Sequence, residues 1–226
     1  VNITYDGWTT IKTQGKNAVI NFIAAKMKNA EKTMKKKLST GLYSGGGGGH
    51  IDGLLKICDD STNYTTYGTI NRSTNTWARA HLNTTGGSIT LSSIQSMVGD
   101  CTYDNEKPDL CITTQTIYDA IWVLLQSQQR FPAGVGRDND LARAGFPSID
   151  WNGYMDIVVD SNCPSGYLFF INSDYLEFYV SDKRNFTFSG WKEWVNQDAR
   201  SGQILTYCNV AASAPRYFGA MSGRTA

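Results

Sequence analysis

The chain lacks most of what an enzyme, a metalloprotein or a membrane-spanning protein needs. Its 226 residues contain no run of 18 apolar residues, so no transmembrane helix and no membrane partner are expected. There are two histidines, His50 and His81, and five cysteines, Cys58, Cys101, Cys111, Cys163 and Cys208, with no C-x-x-C among them. An odd, scattered set argues against a disulfide framework or a zinc site and for buried free thiols. The nucleophile elbow G-x-S-x-G, the H-E-x-x-H motif and the kinase signatures are all missing. The glycine run ending at Gly49 leads into His50-Ile51-Asp52, not the Gly-Lys-Ser/Thr that a phosphate cradle requires. A helix precedes these glycines instead of following them, which also excludes a dinucleotide fingerprint. The acids of 132–147 lack the glycine and closing Glu of a calcium loop. No catalytic residue, cofactor or metal is expected. Twenty-one basic against twenty acidic side chains leave net charge silent on partners. No charged-then-apolar leader opens the chain, which starts at Val1 and reads as a fragment or processed product with sequence upstream.

What is present is a foldable core. Hydrophobic residues make up 41% and aromatics 12%, too much for a disordered chain, and the length suits one large domain or two small ones. Residues 1–14 read as extended. From Gly15 to about Ser39, Val19, Phe22, Ile23, Met27, Ala30, Met34 and Leu38 recur every three or four residues, the mark of one amphipathic helix about 37 Å long. Lys28, Lys32, Lys35 and Lys36 fall opposite that stripe, while Lys26 and Lys37 fall at its edge or inside it, with stems along apolar surface. Residues 12–37 carry eight lysines and one acid, Glu31, and the rest of the chain is left with a net charge of −6. Two readings of the lysine face stay open: a solvated helix side, or a basic surface facing nucleic acid or an acidic neighbouring subunit.

Gly41–Gly49 reads as a loop, with Gly45, Gly46, Gly47, Gly48 and Gly49 as a flexible hinge. Downstream, Ser92–Cys101 and Gln115–Arg130 read as helices, the second capped by Thr114 or Thr116. Pro108–Thr113, Met155–Val159, Tyr167–Ile171 and Tyr175–Val180 read as strands. The continuously apolar Tyr167–Ile171 is placed centrally, and the alternating Tyr175–Val180 is covered on one face. Trp191 and Trp194 read as part of a short helix, and Ile204–Met221 as a further extended segment.

The candidate chemistry is thin. Asp59-Asp60 reads as a solvated loop pair. Asp156 and Asp160 share a strand face, and Asp150 shares it only if the strand runs straight through Asn152-Gly153, which read better as a turn. Tyr64, Tyr67 and Trp77 suit stacking on bases or sugars, or the more common core and interface roles. The N-x-S/T triplets at Asn2, Asn63, Asn71, Asn83 and Asn185 read as chance in a Thr/Asn-rich chain. The residues alone thus describe an α+β protein with a long basic helix and no catalytic constellation.

The order of these features resembles the major capsid protein of tailed bacteriophages, with its Hong Kong 97-like fold. Gly15-Lys16-Asn17-Ala18 to Leu42-Tyr43 is similar to that family's spine helix, and Ile51-Asp52-Gly53-Leu54-Leu55 to the segment leaving it. Tyr67-Gly68-Thr69-Ile70-Asn71-Arg72-Ser73 through Trp77 is similar to a segment of one branch. Pro108–Thr114 and the following helix resemble a strand and helix of the axial domain, and Gly145-Phe146 through Asp160 with Tyr167–Asn172 resemble its sheet. The ordered series carries the likeness over nearly the whole chain. At the front, at most the returning strand of the family's extended loop is present, in residues 1–14.

The resemblance implies an α+β fold with a peripheral domain in residues 1–55, an axial domain in 56–199 with a central mixed sheet flanked by helices, and a return to the peripheral domain in 200–226. It implies a structural subunit that assembles into pentamers and hexamers of an icosahedral shell around double-stranded DNA. That DNA would be held by non-specific contact, with other capsid or portal proteins as partners. The expected location is the virion, after assembly in the host cytoplasm. The alternatives are the shell of a cellular nanocompartment of the same fold, or a phage tail component. A saccharide-cleaving enzyme using Asp156 and Asp160 is the reading from a different class.

Overall fold

A computed structural model describes residues 1–12, 22–47, 50–126 and 149–226. In chain order the elements are β1 (Asn2–Asp6), α1 (Gly7–Lys12), α2 (Phe22–Gly41), β2 (Gly45–Gly47), β3 (His50–Asp52), α3 (Leu54–Ile57), β4 (Thr66–Tyr67), β5 (Ile70–Asn71), β6 (His81–Asn83), β7 (Gly87–Ser88), α4 (Leu91–Cys101), β8 (Leu110–Thr113) and α5 (Gln115–Gln126). There follow β9 (Ile149–Trp151), β10 (Met155–Val159), β11 (Leu168–Ile171), β12 (Leu176–Val180), β13 (Thr187–Phe188), β14 (Lys192–Glu193), β15 (Ala199–Leu205), β16 (Cys208–Ala212), β17 (Gly219–Met221) and β18 (Arg224–Thr225). The end of the extended reading at 13–14, the expected helix start at 15–21, part of the glycine run (Gly48, Gly49), the end of the second helix at 127–130 and the loop 132–147 lie outside the described residues.

The chain divides into two units, Val1–Leu42 with Phe178–Asn209 and Tyr43–Glu177 with Val210–Ala226. The expected boundaries at 55/56 and 199/200 differ from these. Residues 187–193 belong with the first unit because β13 and β14 both pair with β15. Residues 219–221 belong with the second because β17 pairs with β11. The unit boundaries fall inside β12 and β16.

In the second unit a six-stranded sheet runs in the order β6-β17-β11-β8-β10-β9. It is mixed: β8 is parallel to β10 and β6 to β17, while the other pairs are antiparallel. β11 sits between β17 and β8 and is buried throughout. Burial on both faces is why its sequence is continuously apolar. Leu168 and Phe170 point into a core built with Ile94, Met97, Val98 and Cys101 of α4 and Ile117 and Ile121 of α5. On the other face, Phe169 stacks on Tyr167 at 5.6 Å and meets Tyr43 at 5.7 Å between ring centres. Thr90 and Ser93 form a reciprocal capping box that starts α4. At β9–β10, Asn152 and Gly153 take φ of 54° and 75°, the left-handed turn that the sequence suggests.

In the first unit β15 pairs with β1 on one side and with β13 and β14 on the other. Helix α2 packs here through Met27 and Ala30 against Val1, Ile3, Ile204, Phe188 and Trp191. The 20 described residues of α2 span about 30 Å. Its apolar stripe is the protected side, and Lys28, Lys32, Lys35 and Lys36 are exposed, as the spacing predicts. Lys26, at the stripe's edge, donates to the Thr4 carbonyl at 2.6 Å and lies 4.7 Å from the Phe22 ring centre. Lys37 is exposed.

Four local expectations are corrected. Residues 7–12 are helical, not extended. The chain bends at Gly7, whose N–H donates to the Asp198 carbonyl and where a Cβ would lie 1.9 Å from the Asp198 carboxylate. Trp191 and Trp194 are not in a helix: Lys192–Glu193 is a strand on β15, held because Trp191 packs edge-on to Tyr5 and Phe188. Gly45–Gly47 is not loop but a strand antiparallel to His50–Asp52, fastened by the Gly46 N–H donating to Ser44 Oγ. The alternation in β12 does not produce a covered face, since Phe178 is half exposed.

Candidate assembly surfaces

The acids that a saccharide-cleaving site would use are engaged in local structure. Asp150 pairs across the hairpin with Asp156 and accepts the Gly153 N–H at 2.9 Å. Asp160 accepts the Tyr43 hydroxyl at 2.6 Å and the Asn162 N–H at 2.8 Å. Burial first, and then that hydrogen bond, push the Tyr43 phenol well above its ordinary range. Asp59 is not a solvated loop acid. It is buried and accepts N–H groups from Ser61, Asn63 and Tyr64 and the Asn63 side-chain amide, which fixes the turn after α3. Among the described residues no group of three His, Cys, Asp or Glu side chains could hold a metal ion.

The Tyr67–Arg72 segment is a structural clamp. Gly68 and Thr69 take φ of 53° and 68°, closing a tight β4–β5 hairpin. Arg72, fully buried, donates to the Lys56 and Ile57 carbonyls at 2.7 and 3.1 Å and lies 4.7 Å from the Tyr67 ring centre. It therefore satisfies carbonyls at the C-terminus of α3, where a cation is favoured. Burial lowers its pKa from the usual arginine value. The Tyr67 hydroxyl accepts the Ala212 N–H at 2.7 Å, so Tyr67 serves the core; Tyr64 is half-buried and Trp77 exposed.

All five cysteines are free. Burial pushes the thiols of Cys58, Cys101 and Cys111 far above their ordinary value and that of Cys163 up to about 12.

Two surfaces remain. The first is the lysine face of α2, where Lys28, Lys32, Lys35 and Lys36 make no ion pair with a described residue. The first unit holds twelve basic and five acidic residues, a net of +7, and the second holds nine and fifteen, a net of −6. The second surface is aromatic and apolar. In the first unit Trp8, Ile11, Phe178, Tyr179, Phe186, Trp194, Val195 and Tyr207 are all exposed, while Ile3, Ala30 and Ile204 alone form its buried apolar centre among the described residues. Sequence reasoning missed this surface. The available signal was Trp8, Phe186, Val195 and Tyr207, large apolar residues set in polar stretches.

The architecture has counterparts among solved structures. A subunit of the cyanophage A-1(L) capsid matches the whole chain with a TM-score of 0.78 at 15% identity, 77% of that subunit being covered. The SrpI encapsulin of Synechococcus elongatus PCC 7942 also matches the whole chain, with a TM-score of 0.66 at 15% identity over 73% of its length. The capsid of Myoviridae phage XM1 matches 99% of this chain and 71% of its own with a TM-score of 0.55 at 10% identity. No protein-family model and no curated protein sequence matches the chain. The chain has the Hong Kong 97-like capsid fold, an α+β fold. The solved structures that share it here are two phage capsids and an encapsulin.

Proposed function

We propose that this chain is the major capsid protein of a tailed phage, a subunit whose copies form pentamers and hexamers of an icosahedral shell around double-stranded DNA. The observation that carries the reading is the match of the entire chain to a cyanophage capsid subunit. The first unit then serves as the peripheral domain with α2 as its spine, and the second as the axial domain. Heterologous contacts that close on rotation axes build such rings, through interfaces on the order of 2,000–5,000 Å². The exposed lysines of α2 supply a sequence-independent attraction for phosphates, or for an acidic neighbour. Other capsid or portal proteins complete a virion assembled in the host cytoplasm.

A second reading, the shell of a cellular nanocompartment, draws on the encapsulin match. The two separate on particle contents. Electron microscopy of the purified full-length protein, with nuclease-resistant nucleic acid and co-purifying protein measured on the same particles, tests both. Closed particles holding genome-length DNA fit the phage reading. Particles filled with a protein cargo and free of genome fit the second. A protein that stays monomeric at high concentration refutes both. Reversing Lys28, Lys32, Lys35 and Lys36 to Glu is expected to change the salt dependence of particle stability; an unchanged dependence returns that face to solvent.

A further inference from the structure

We propose that Trp8, Ile11, Trp194 and Val195 form one apolar contact surface of the first unit, covered in the native state by a second copy of this chain. The proposal rests on the shell-subunit reading and names a place where one copy grips another. β1 ends at Asp6 opposite Ala199 of β15. Beyond that point the Gly7 N–H donates to the Asp198 carbonyl at 2.9 Å, and the Trp194 N–H donates to the Ala199 carbonyl at 3.0 Å. The start of α1 and the β14–β15 turn are thereby fastened together at one end of the sheet. Trp8 and Ile11 stand three residues apart on α1, so they share a side of it.

All four side chains face water: Trp8 is 63% exposed, Ile11 61%, Trp194 51% and Val195 99%. Together they present on the order of 600 Å², the upper end of what an ordinary monomer leaves in one patch and most of the roughly 800 Å² that one partner gives to a stable interface. The rim is of mixed sign. Arg200 pairs with Glu193 at 2.6 Å, Lys12 lies 5.0 Å from the Trp8 ring centre, and Asp198 sits beside Gly7. Aromatic anchors inside a rim of both charges suit a protein partner. A phosphate backbone or an anionic bilayer would call for a rim of one sign. A fold built for repetition supplies that partner as another copy.

The test compares full-length Val195→Asp and Trp194→Ser with Tyr103→Ser, which removes an exposed aromatic of the second unit. The threshold concentration for assembly is read by light scattering, and hydroxyl-radical oxidation of Trp8 and Trp194 is read in the wild type at low and high concentration. Val195→Asp and Trp194→Ser are expected to raise the threshold about tenfold or more with the melting of the dissociated subunit unchanged, and Tyr103→Ser to behave as wild type. Oxidation of both tryptophans is expected to fall on assembly. Thresholds unmoved by the first two variants, or moved as far by Tyr103→Ser, overturn the proposal. Should a variant misfold, the wild-type oxidation decides alone: tryptophans equally oxidised in closed particles refute the contact and leave the shell reading standing. Tryptophans protected in small oligomers that never close keep the contact and refute the shell.

Discussion

Raising the pH from 7 to 10.5 should destabilise the folded chain steeply, and three buried thiols are the reason. Cys58, Cys101 and Cys111 are enclosed by the core of the second unit, and burial holds their folded pKa values far above the ordinary thiol value. In the unfolded chain each titrates near 8.5. A raised folded pKa means that the stabilisation is fully present below about pH 8.5 and is lost as pH rises beyond it, because the unfolded state then releases protons that the folded state keeps. Each thiol removes on the order of 3 kcal/mol by pH 10.5, and the three together on the order of 8 kcal/mol. That is of the order of the whole stability of a typical domain. For a chain of this size it lowers the melting temperature by roughly 15–30 °C. The assay is thermal unfolding in reducing buffer at fixed protein concentration across pH 7–10.5, for wild type and for Cys58→Ala/Cys101→Ala/Cys111→Ala. The variant starts lower because it carries cavities, and its midpoint should fall much less with pH. Equal slopes for the two proteins would refute the reasoning.

The other predictions rest on packing and access. Gly202→Val should destabilise the first unit by about 2 kcal/mol or more, since a Cβ there would lie 2.5 Å from the Phe188 ring; thermal unfolding and near-ultraviolet circular dichroism report it. Arg72→Met should cost about 3–5 kcal/mol, because the buried carbonyls of Lys56 and Ile57 lose their donor, and Arg72→Lys should not restore it; denaturant titration measures both. In the native protein a thiol reagent should label Cys208 first and the other four only on unfolding, as the order of labelling by mass spectrometry will show.

What the sequence made legible follows from how local each signal is. The helices α4 and α5 carry their period within a dozen residues, and β11 announces double-sided burial in four. The turn at Asn152-Gly153 is written in its own two residues. The sheet of the first unit is not local: β1 meets β15 across some two hundred residues, Asn2 opposite Gln203, and nothing near either strand records the partner. Lys192–Glu193 forms a strand against the helical reading of the Trp191 and Trp194 spacing, with Trp191 packed on Tyr5 of the distant β1. Asp59 was misread because its partners are backbone N–H groups of its own turn, which no residue identity reveals. The exposure of Phe178 and Tyr179 was missed because alternation alone does not say whether anything covers the strand.

The two units differ in how far each closes its own core, and that difference bears on assembly. The second unit buries a mixed sheet on both faces and fills its helix side with Ile94, Ile117, Ile121, Leu168, Phe170 and Met221. Among the described residues the first encloses Ile3, Ala30 and Ile204 and leaves Trp8, Phe178 and Trp194 exposed. Its net charge of +7 against −6 on the second unit also disfavours like unit against like and favours head-to-tail contact between copies. Head-to-tail contacts are the ones that generate rings when their rotation closes. A positive first unit and a negative second unit thus suit the ring-forming contacts that the proposed shell requires.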